Sequence, residues 1–446
     1  MNPRLRVGYI SGQAKRVNER VIDTAWLRYL GQYVELIEIP PLSYIKLFGG
    51  TFEKWLQKFP ESLDKLSANL KALQDKYRLD VFYANLTPSN PYIVMARNHG
   101  QLDLGILMIA HCVGSENWVR HWLAMAPFLT EKDVLLASTA TTKRALECIS
   151  DVYKGACQIP LCTDADGLLG SFNEDGEPII LSIGRIENVK NIDAALRCFA
   201  DISARVPGAR LVIAGEYTGR SEGQVRQYRE QLEGLVQQYG LQDTVTFTGS
   251  IVGAEKEACF RSAALLLNLS TDPGETFGYN IVEAKRYGLP VVCTDWDGFR
   301  DIVRHGEDGF LADCFWEGDK PSIDEAQVAD YCVQLLTDSG LRRRMHGASL
   351  LSMEQFHYRK VMPLVEEAVY HASERVVLYR KVDEVWNTPI SEQGGLYCLD
   401  NLRGISFLDA SPLSVLSEVN TIALEQWYGQ VKPLIGHFAS ANKQFV

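Results

Sequence analysis

Glu275 and Glu283 stand eight positions apart in the run Pro273-Gly274-Glu275-Thr276-Phe277-Gly278-Tyr279-Asn280-Ile281-Val282-Glu283-Ala284, the first in a glycine-containing turn and the second inside the helix expected to follow. That arrangement suits a sugar nucleotide. An ionised carboxylate is an acceptor matched to a pair of hydroxyls, which puts Glu275 beside a sugar and Glu283 beside a ribose. The amides at the helix start, near Phe277, Gly278 and Tyr279, have no intrahelical partner and form an electropositive nest for a phosphate. The helix itself is predicted from Ile281, Val282 and Ala284 on one side, a Gly288 stop and Pro290 two residues later. Taken alone, the same residues also describe a buried helix with two solvated glutamates.

Fixed cations lie upstream. Ile179 to Ile183 is an apolar strand that runs into Gly184-Arg185, and Lys190 then precedes a helix whose Ile192, Ala195, Leu196, Phe199 and Ile202 follow helical spacing to a Pro207-Gly208 stop. A strand, a charged turn and a helix start is how α/β proteins present charge to a ligand at the carboxyl ends of their strands. Surface cations are the plainer reading of Arg185 and Lys190 singly. An acidic glycine turn further along the chain makes them a phosphate site instead.

The elements that must position these residues alternate. Strands are expected at about 4–10, 33–39, 80–84, 104–111, 133–138 and 156–160, with helices near 20–30, 61–76, 116–128 and 140–150. After a turn-rich stretch, 168–176, a second run places strands at 179–183, 210–214, 244–248, 264–269, 290–293 and 309–312. Helices at 191–204, 222–239, 255–262, 278–287 and 298–304 fall between them. Strands alternating with helices imply parallel doubly wound sheets. The expected fold is thus α/β, with two Rossmann-like domains facing a cleft, over 1–172 and 176–350. A mostly helical extension over 351–446 is expected to pack back in part on the amino-terminal domain, and a helical run from Leu341 to about Lys381 leads into it.

Composition agrees with ordinary folded protein. The 446 residues exceed what one core serves, and 46% hydrophobic and 23% charged residues give no sign of long disorder. The net charge of −11 comes entirely from the carboxyl side: residues 1–175 hold 19 basic and 19 acidic side chains. No basic stripe marks a nucleic-acid binder. The longest apolar run, Leu104 to Val113, is too short to span a bilayer and no signal sequence follows Met1. A cytoplasmic chain is expected, with weak peripheral membrane contact left open for the neutral amino half. The ten cysteines lack CxxC spacing and read as buried free thiols.

With these residues in hand, the chain resembles the retaining glycosyltransferases of the GT-B class, in particular family 4, over roughly residues 176–360. The motifs in order are Gly184-Arg185 with Lys190, Gly215-Glu216, Phe247-Thr248-Gly249, Glu275 with Glu283, Gly288-Leu289-Pro290-Val291-Val292, and Asp301 to Val303 followed by Gly306-Glu307-Asp308-Gly309. The resemblance implies that Arg185 and Lys190 hold a donor diphosphate, Glu283 the ribose hydroxyls and Glu275 the transferred sugar, with amides from Phe277 to Tyr279 on the phosphate. It places Gly184 in the donor site, and Glu216 and Ser250 beside the base. His111, after an apolar strand, matches the family's active-site histidine. The loop Ser11-Gly12-Gln13-Ala14-Lys15-Arg16 departs from the family's glycine-rich pattern: Gly12 alone remains, with Lys15 or Arg16 as the substitute charge.

What the resemblance implies is transfer of a hexose from a nucleoside-diphosphate sugar, UDP-hexose being the commonest donor, to a hydroxyl acceptor that is a sugar, a lipid-linked group or a small molecule. No cofactor and no metal is expected. Asp164-Ala165-Asp166 and Asp295-Trp296-Asp297 have the Asp-x-Asp spacing of metal-dependent transferases, but Asp favours turns and caps and each reads as such. The rivals on the same scaffold are a sugar-nucleotide epimerase, a sugar phosphorylase and a non-catalytic subunit. A dinucleotide oxidoreductase is a weaker rival, because no G-x-G-x-x-G follows any strand.

Overall fold

The computed structural model describes residues 4–11, 25–85, 87–164, 170, 172, 176–317 and 320–386, with only the backbone of Glu116 and Asn117. Gly12, Lys15, Arg16, Asp166 and the extension beyond residue 386 lie outside the described residues. Those that are described form two compact units, one holding residues up to 163 and from 358 onward, the other residues 164–357.

The first unit is built on strands β1 (Arg6–Ile10), β2 (Glu35–Ile39), β3 (Val81–Tyr83), β4 (Gly105–Ile109), β5 (Val134–Ala137) and β6 (Cys157–Gln158). They form one parallel sheet in the order β2-β1-β3-β4-β5-β6. Every residue of β4, Gly-Ile-Leu-Met-Ile, is buried, as a strand covered on both faces requires. Between β3 and β4 runs the helix Asn90–His99, where the sequence pattern showed none. Its residues Asn90 to Asn98 are all buried, so it lacks the polar stripe that marks a surface helix. Arg97 fastens it, pairing with Asp133 at 2.6 Å and donating to the Leu104 carbonyl at 2.9 Å. Two further helices absent from the sequence reading, Leu42–Phe48 and Phe52–Leu56, follow β2.

The expected helical run from Leu341 to Lys381 is broken. Helix Ser339–Ser352 ends in a 3-10 turn, Met353–Phe356, and His357 is extended before helix Tyr358–Ser373 begins. The chain re-enters the first unit there, with the Tyr358 ring stacked on Tyr29 at 4.5 Å and its N-H donating to the Thr163 carbonyl.

The second unit holds β7 (Ile179–Ile183), β8 (Arg210–Ala214), β9 (Val245–Gly249), β10 (Leu265–Asn268), β11 (Val291–Thr294) and β12 (Gly309–Ala312). All pairings are parallel, and the order is β12-β11-β10-β7-β8-β9. Ala195, Leu196, Phe199 and Ile202 of helix Ile192–Arg205 pack into the core beside Ile180, Leu211 and Leu265, as their spacing predicted. An antiparallel hairpin, Cys314–Glu317 with Lys320–Ile323, was not anticipated. The decisive feature is the placing of β7 beside β10: the chain leaves them toward opposite edges of the sheet, and a crevice opens at their carboxyl ends.

Among the described residues no helix is long and apolar enough to cross a membrane. Their nine cysteines are free thiols.

Candidate functional site

β7 ends at Ile183 and β10 at Asn268, side by side, and the loops leaving them carry the charge. After Gly184 and Arg185 the chain makes one 3-10 turn, Asn188–Lys190, and Asn191 takes a left-handed conformation, φ 51°, to start the next helix. The Asn191 side-chain amide donates to the Leu269 carbonyl and to Thr271 Oγ1, both at 2.8 Å. Thr271 N-H returns a bond to the Val189 carbonyl at 2.9 Å. Two loops far apart in sequence are thereby stitched together.

Lys190 Nζ lies 3.3 Å from Ser270 Oγ, forms a close ion pair with Glu275 Oε2, and is 3.5 Å from Asp272 Oδ2. Ser270 Oγ donates to the same Glu275 oxygen at 3.2 Å. Arg185 reaches Glu187 at 3.0 Å and Asp272 Oδ2 at 3.6 Å. One oxygen of Asp272 therefore faces both cations. The Lys190 and Glu275 side chains are each 16% exposed, whereas Arg185 is 48% exposed and reaches toward solvent. Burial alone would lower the Lys190 pKa, but the carboxylates of Glu275 and Asp272 outweigh it and hold the ammonium above its ordinary value.

The backbone beneath this cluster is locked by a chain of amides. Asn280, in the first turn of helix Tyr279–Arg286, donates from Nδ2 to the Ile183 carbonyl at 2.7 Å. Its Oδ1 accepts from Asn268 Nδ2 at 3.1 Å, and Asn268 Oδ1 accepts from Ser270 N-H at 3.0 Å. Both strand ends and the helix start are fixed to one another. Two glycines permit the close approach. A Cβ on Gly215 would come 1.7 Å from the Gly184 carbonyl oxygen, and Gly278, at φ 71°, would push a Cβ to 2.6 Å from the Phe299 ring.

Of the residues expected in the site, Gly184, Arg185, Lys190, Glu275 and Gly278 meet at this crevice. Phe277 is buried, its ring against Tyr279 at 5.2 Å and Phe356 at 5.7 Å, so the side chain serves the core and only its amide is left to meet a phosphate. Glu283 lies farther along the helix and pairs with Lys256 at 2.6 Å. Glu216 and Ser250 are exposed at the carboxyl ends of β8 and β9, whose exits are joined by the Gly215 N-H to Gly249 carbonyl bond at 2.9 Å. His111 belongs to the first unit, directly after β4, where its N-H donates to the Ile109 carbonyl.

Sequence reasoning missed Asn191, Asn268, Ser270, Asp272 and Asn280, all polar residues at strand or helix ends. The pattern Asn268-Leu269-Ser270-Thr271-Asp272, directly after an apolar strand, was the available signal. Asp297 was weighed only as half of an Asp-x-Asp. It is 1% exposed at φ 41°, and its Oδ1 has no hydrogen-bond partner among the described residues. Burial raises its pKa well above the carboxylate range; Arg300 opposes this, and Asp301, Glu275 and Asp272 add to it. Asp295 instead pairs with Arg300 at 3.3 Å. Among the described residues no group of three or more His, Cys, Asp or Glu side chains is placed to hold a metal ion.

Residues 170–349 match the family described as glycosyl transferases group 1. The chain is similar to a phosphatidyl-myo-inositol mannosyltransferase of Mycobacterium leprae, 30% identical over 46% of this chain and 51% of that protein. It is also similar to an N-acetyl-alpha-D-glucosaminyl L-malate synthase of Bacillus anthracis, 27% identical over 44% and 46%. The matches span about half the length of these curated relatives. Among solved structures, Anabaena Alr3699/HepE in complex with UDP and glucose superposes with a TM-score of 0.62 at 16% identity, covering 82% of this chain and 99% of that one. The fold is that of the GT-B class, as the motifs implied.

Proposed function

We propose that this chain, whose residues 170–349 match the group 1 glycosyl transferases, moves a hexose from a nucleoside-diphosphate sugar to a hydroxyl acceptor with retention of anomeric configuration. The observation that carries this reading is the convergence of Arg185, Lys190 and Glu275 at the carboxyl ends of β7 and β10. In the transfer, the bond from the anomeric carbon to the diphosphate breaks, a bond to the acceptor oxygen forms, and the acceptor proton leaves with the diphosphate. Negative charge therefore grows on the departing phosphate oxygen. Fixed cations beside a helix start stabilise that charge without reorganising, which is where such catalysts gain most. No metal is needed for this step.

Glu275, held by Lys190 and Ser270, is set to accept from hydroxyls of the transferred sugar, and Glu283 from those of the ribose. Glu216 and Ser250 flank the base, and the amides from Phe277 to Tyr279 face the phosphate. UDP-hexose is the proposed donor, supported by the UDP and glucose bound to the similar Anabaena protein. The acceptor belongs to the first unit with His111. The relatives' names, which include a phosphatidylinositol and a malate, support a lipid-linked or small hydroxyl compound. A cytoplasmic enzyme that meets a membrane peripherally accords with these acceptors.

Incubation with a panel of UDP-, GDP- and ADP-sugars and no acceptor tests the reading. Slow release of free sugar and nucleoside diphosphate marks a transferase. A new sugar nucleotide marks an epimerase, phosphate-dependent sugar phosphate a phosphorylase, and no turnover with any donor a binding subunit. Activity unchanged by a chelator is the expected result for the metal-independent step.

A further inference from the structure

The cluster at the ends of β7 and β10 contains more carboxylates than cations. Arg185 and Lys190 are surrounded by Glu187, Asp272 and Glu275. A diphosphate brings further negative charge to a group whose cations are already paired, and like charges at such distances are strongly unfavourable in a partly buried setting. One carboxylate must therefore give way. Glu187 is also held by Thr218 Oγ1 at 3.3 Å, and Glu275 by Ser270 Oγ at 3.2 Å. Asp272 differs. Its Oδ1 is anchored by the Gly274 N-H at 2.9 Å, while among the described residues its Oδ2 makes only the long contacts to Lys190 and Arg185, 3.5 Å and 3.6 Å.

We propose that Asp272 is a built-in competitor of the donor diphosphate: its Oδ2 occupies the position between Arg185 and Lys190 that a phosphate oxygen takes, and donor binding displaces it. This deepens the transferase reading and rests on it. Asp272 holds the two cations in register and at the same time lowers donor affinity, because the fraction of molecules with both cations free to bind scales the apparent affinity. It also favours ligands able to engage both cations at once. A diphosphate replaces both contacts, whereas a monophosphate replaces one and leaves the carboxylate as a neighbour of like charge.

The test is calorimetric titration of the full chain with UDP, GDP, ADP, the corresponding monophosphates and inorganic pyrophosphate. It compares the unaltered protein with Asp272→Asn, which keeps an oxygen for the Gly274 N-H, and Asp272→Ser as a second variant should the first not fold. The expected result is that the preferred nucleoside diphosphate and pyrophosphate bind on the order of tenfold more tightly to either variant. The advantage of diphosphate over monophosphate should shrink. Equal or weaker diphosphate binding by a folded variant overturns the proposal while leaving the donor site intact. If the unaltered protein and both variants bind none of the nucleotides, the transferase reading fails and this inference falls with it.

Discussion

Asn280 Nδ2 donates to the Ile183 carbonyl at 2.7 Å, tying the first turn of the helix that carries Glu283 to the last residue of β7. That bond fixes where the Gly184-Arg185 turn leaves the sheet relative to the helix start. Asn280→Ala should lower stability by about 1 to 3 kcal/mol, the scale of leaving a partly buried acceptor unpaired. It should also raise the KM for the sugar nucleotide more than it lowers kcat. Denaturant midpoints and steady-state kinetics check both, and an unchanged KM counts against the latch.

Gly215 lies against the Gly184 carbonyl oxygen, where a Cβ would come within 1.7 Å. Gly215→Ala must shift the β7 exit and Arg185 with it. A loss of about 1 to 3 kcal/mol is the usual cost of forcing extra atoms into a packed site, and donor affinity should fall with it. A crystal structure of the variant with an undisturbed Gly184-Arg185 turn contradicts this account.

The second unit was largely legible because its elements repeat one pattern: the apolar run Ile179 to Ile183 and the helix from Ile192 to Ile202 each have the period of what they became. The convergence of Arg185, Lys190 and Glu275 was expected because their types and turns suggest phosphate and hydroxyl chemistry. Helix Asn90–His99 was not legible, since a helix buried all round has no polar face and its one charge, Arg97, finds Asp133 across the chain. Asn191, Asn268 and Asn280 escaped for a related reason. An amide's role depends on its partners, and theirs, apart from short-range contacts such as Asn268 with Ser270, lie on other strands or loops.

Asp297 predicts a pH effect with a definite sign. A carboxyl whose pKa is raised in the fold binds more protons there than in the unfolded chain, so stability falls as pH rises from the unfolded value, about 4, through the raised one. Asp297→Asn should remove this group's part of that slope and raise stability at neutral pH, because the amide has no proton to lose as the pH rises. The two proteins should converge below about pH 4. Urea midpoints across pH 4 to 8 measure it, and parallel curves for the two proteins contradict it.

Lys190 leads to a different expectation. Its ammonium is held above the ordinary lysine value, so its contribution to stability is fully present below that value and is lost only as pH rises through the raised pKa. Lys190→Met should leave Asp272 and Glu275 without their shared cation and lower stability at neutral pH by about 1 to 3 kcal/mol, the scale of leaving a partly buried charged group unpaired. Urea midpoints of the two proteins at pH 7 measure the loss, and equal midpoints show that Lys190 does not hold the carboxylates.

The most direct test of the donor site is single-turnover sugar release from the preferred nucleoside-diphosphate sugar by the unaltered protein, Arg185→Ala and Lys190→Ala, all verified as folded. Each substitution should slow cleavage by on the order of 10² to 10³, the larger loss falling on Lys190, the less exposed of the two. Cleavage at the original rate in both variants means that the diphosphate does not lie between these two cations.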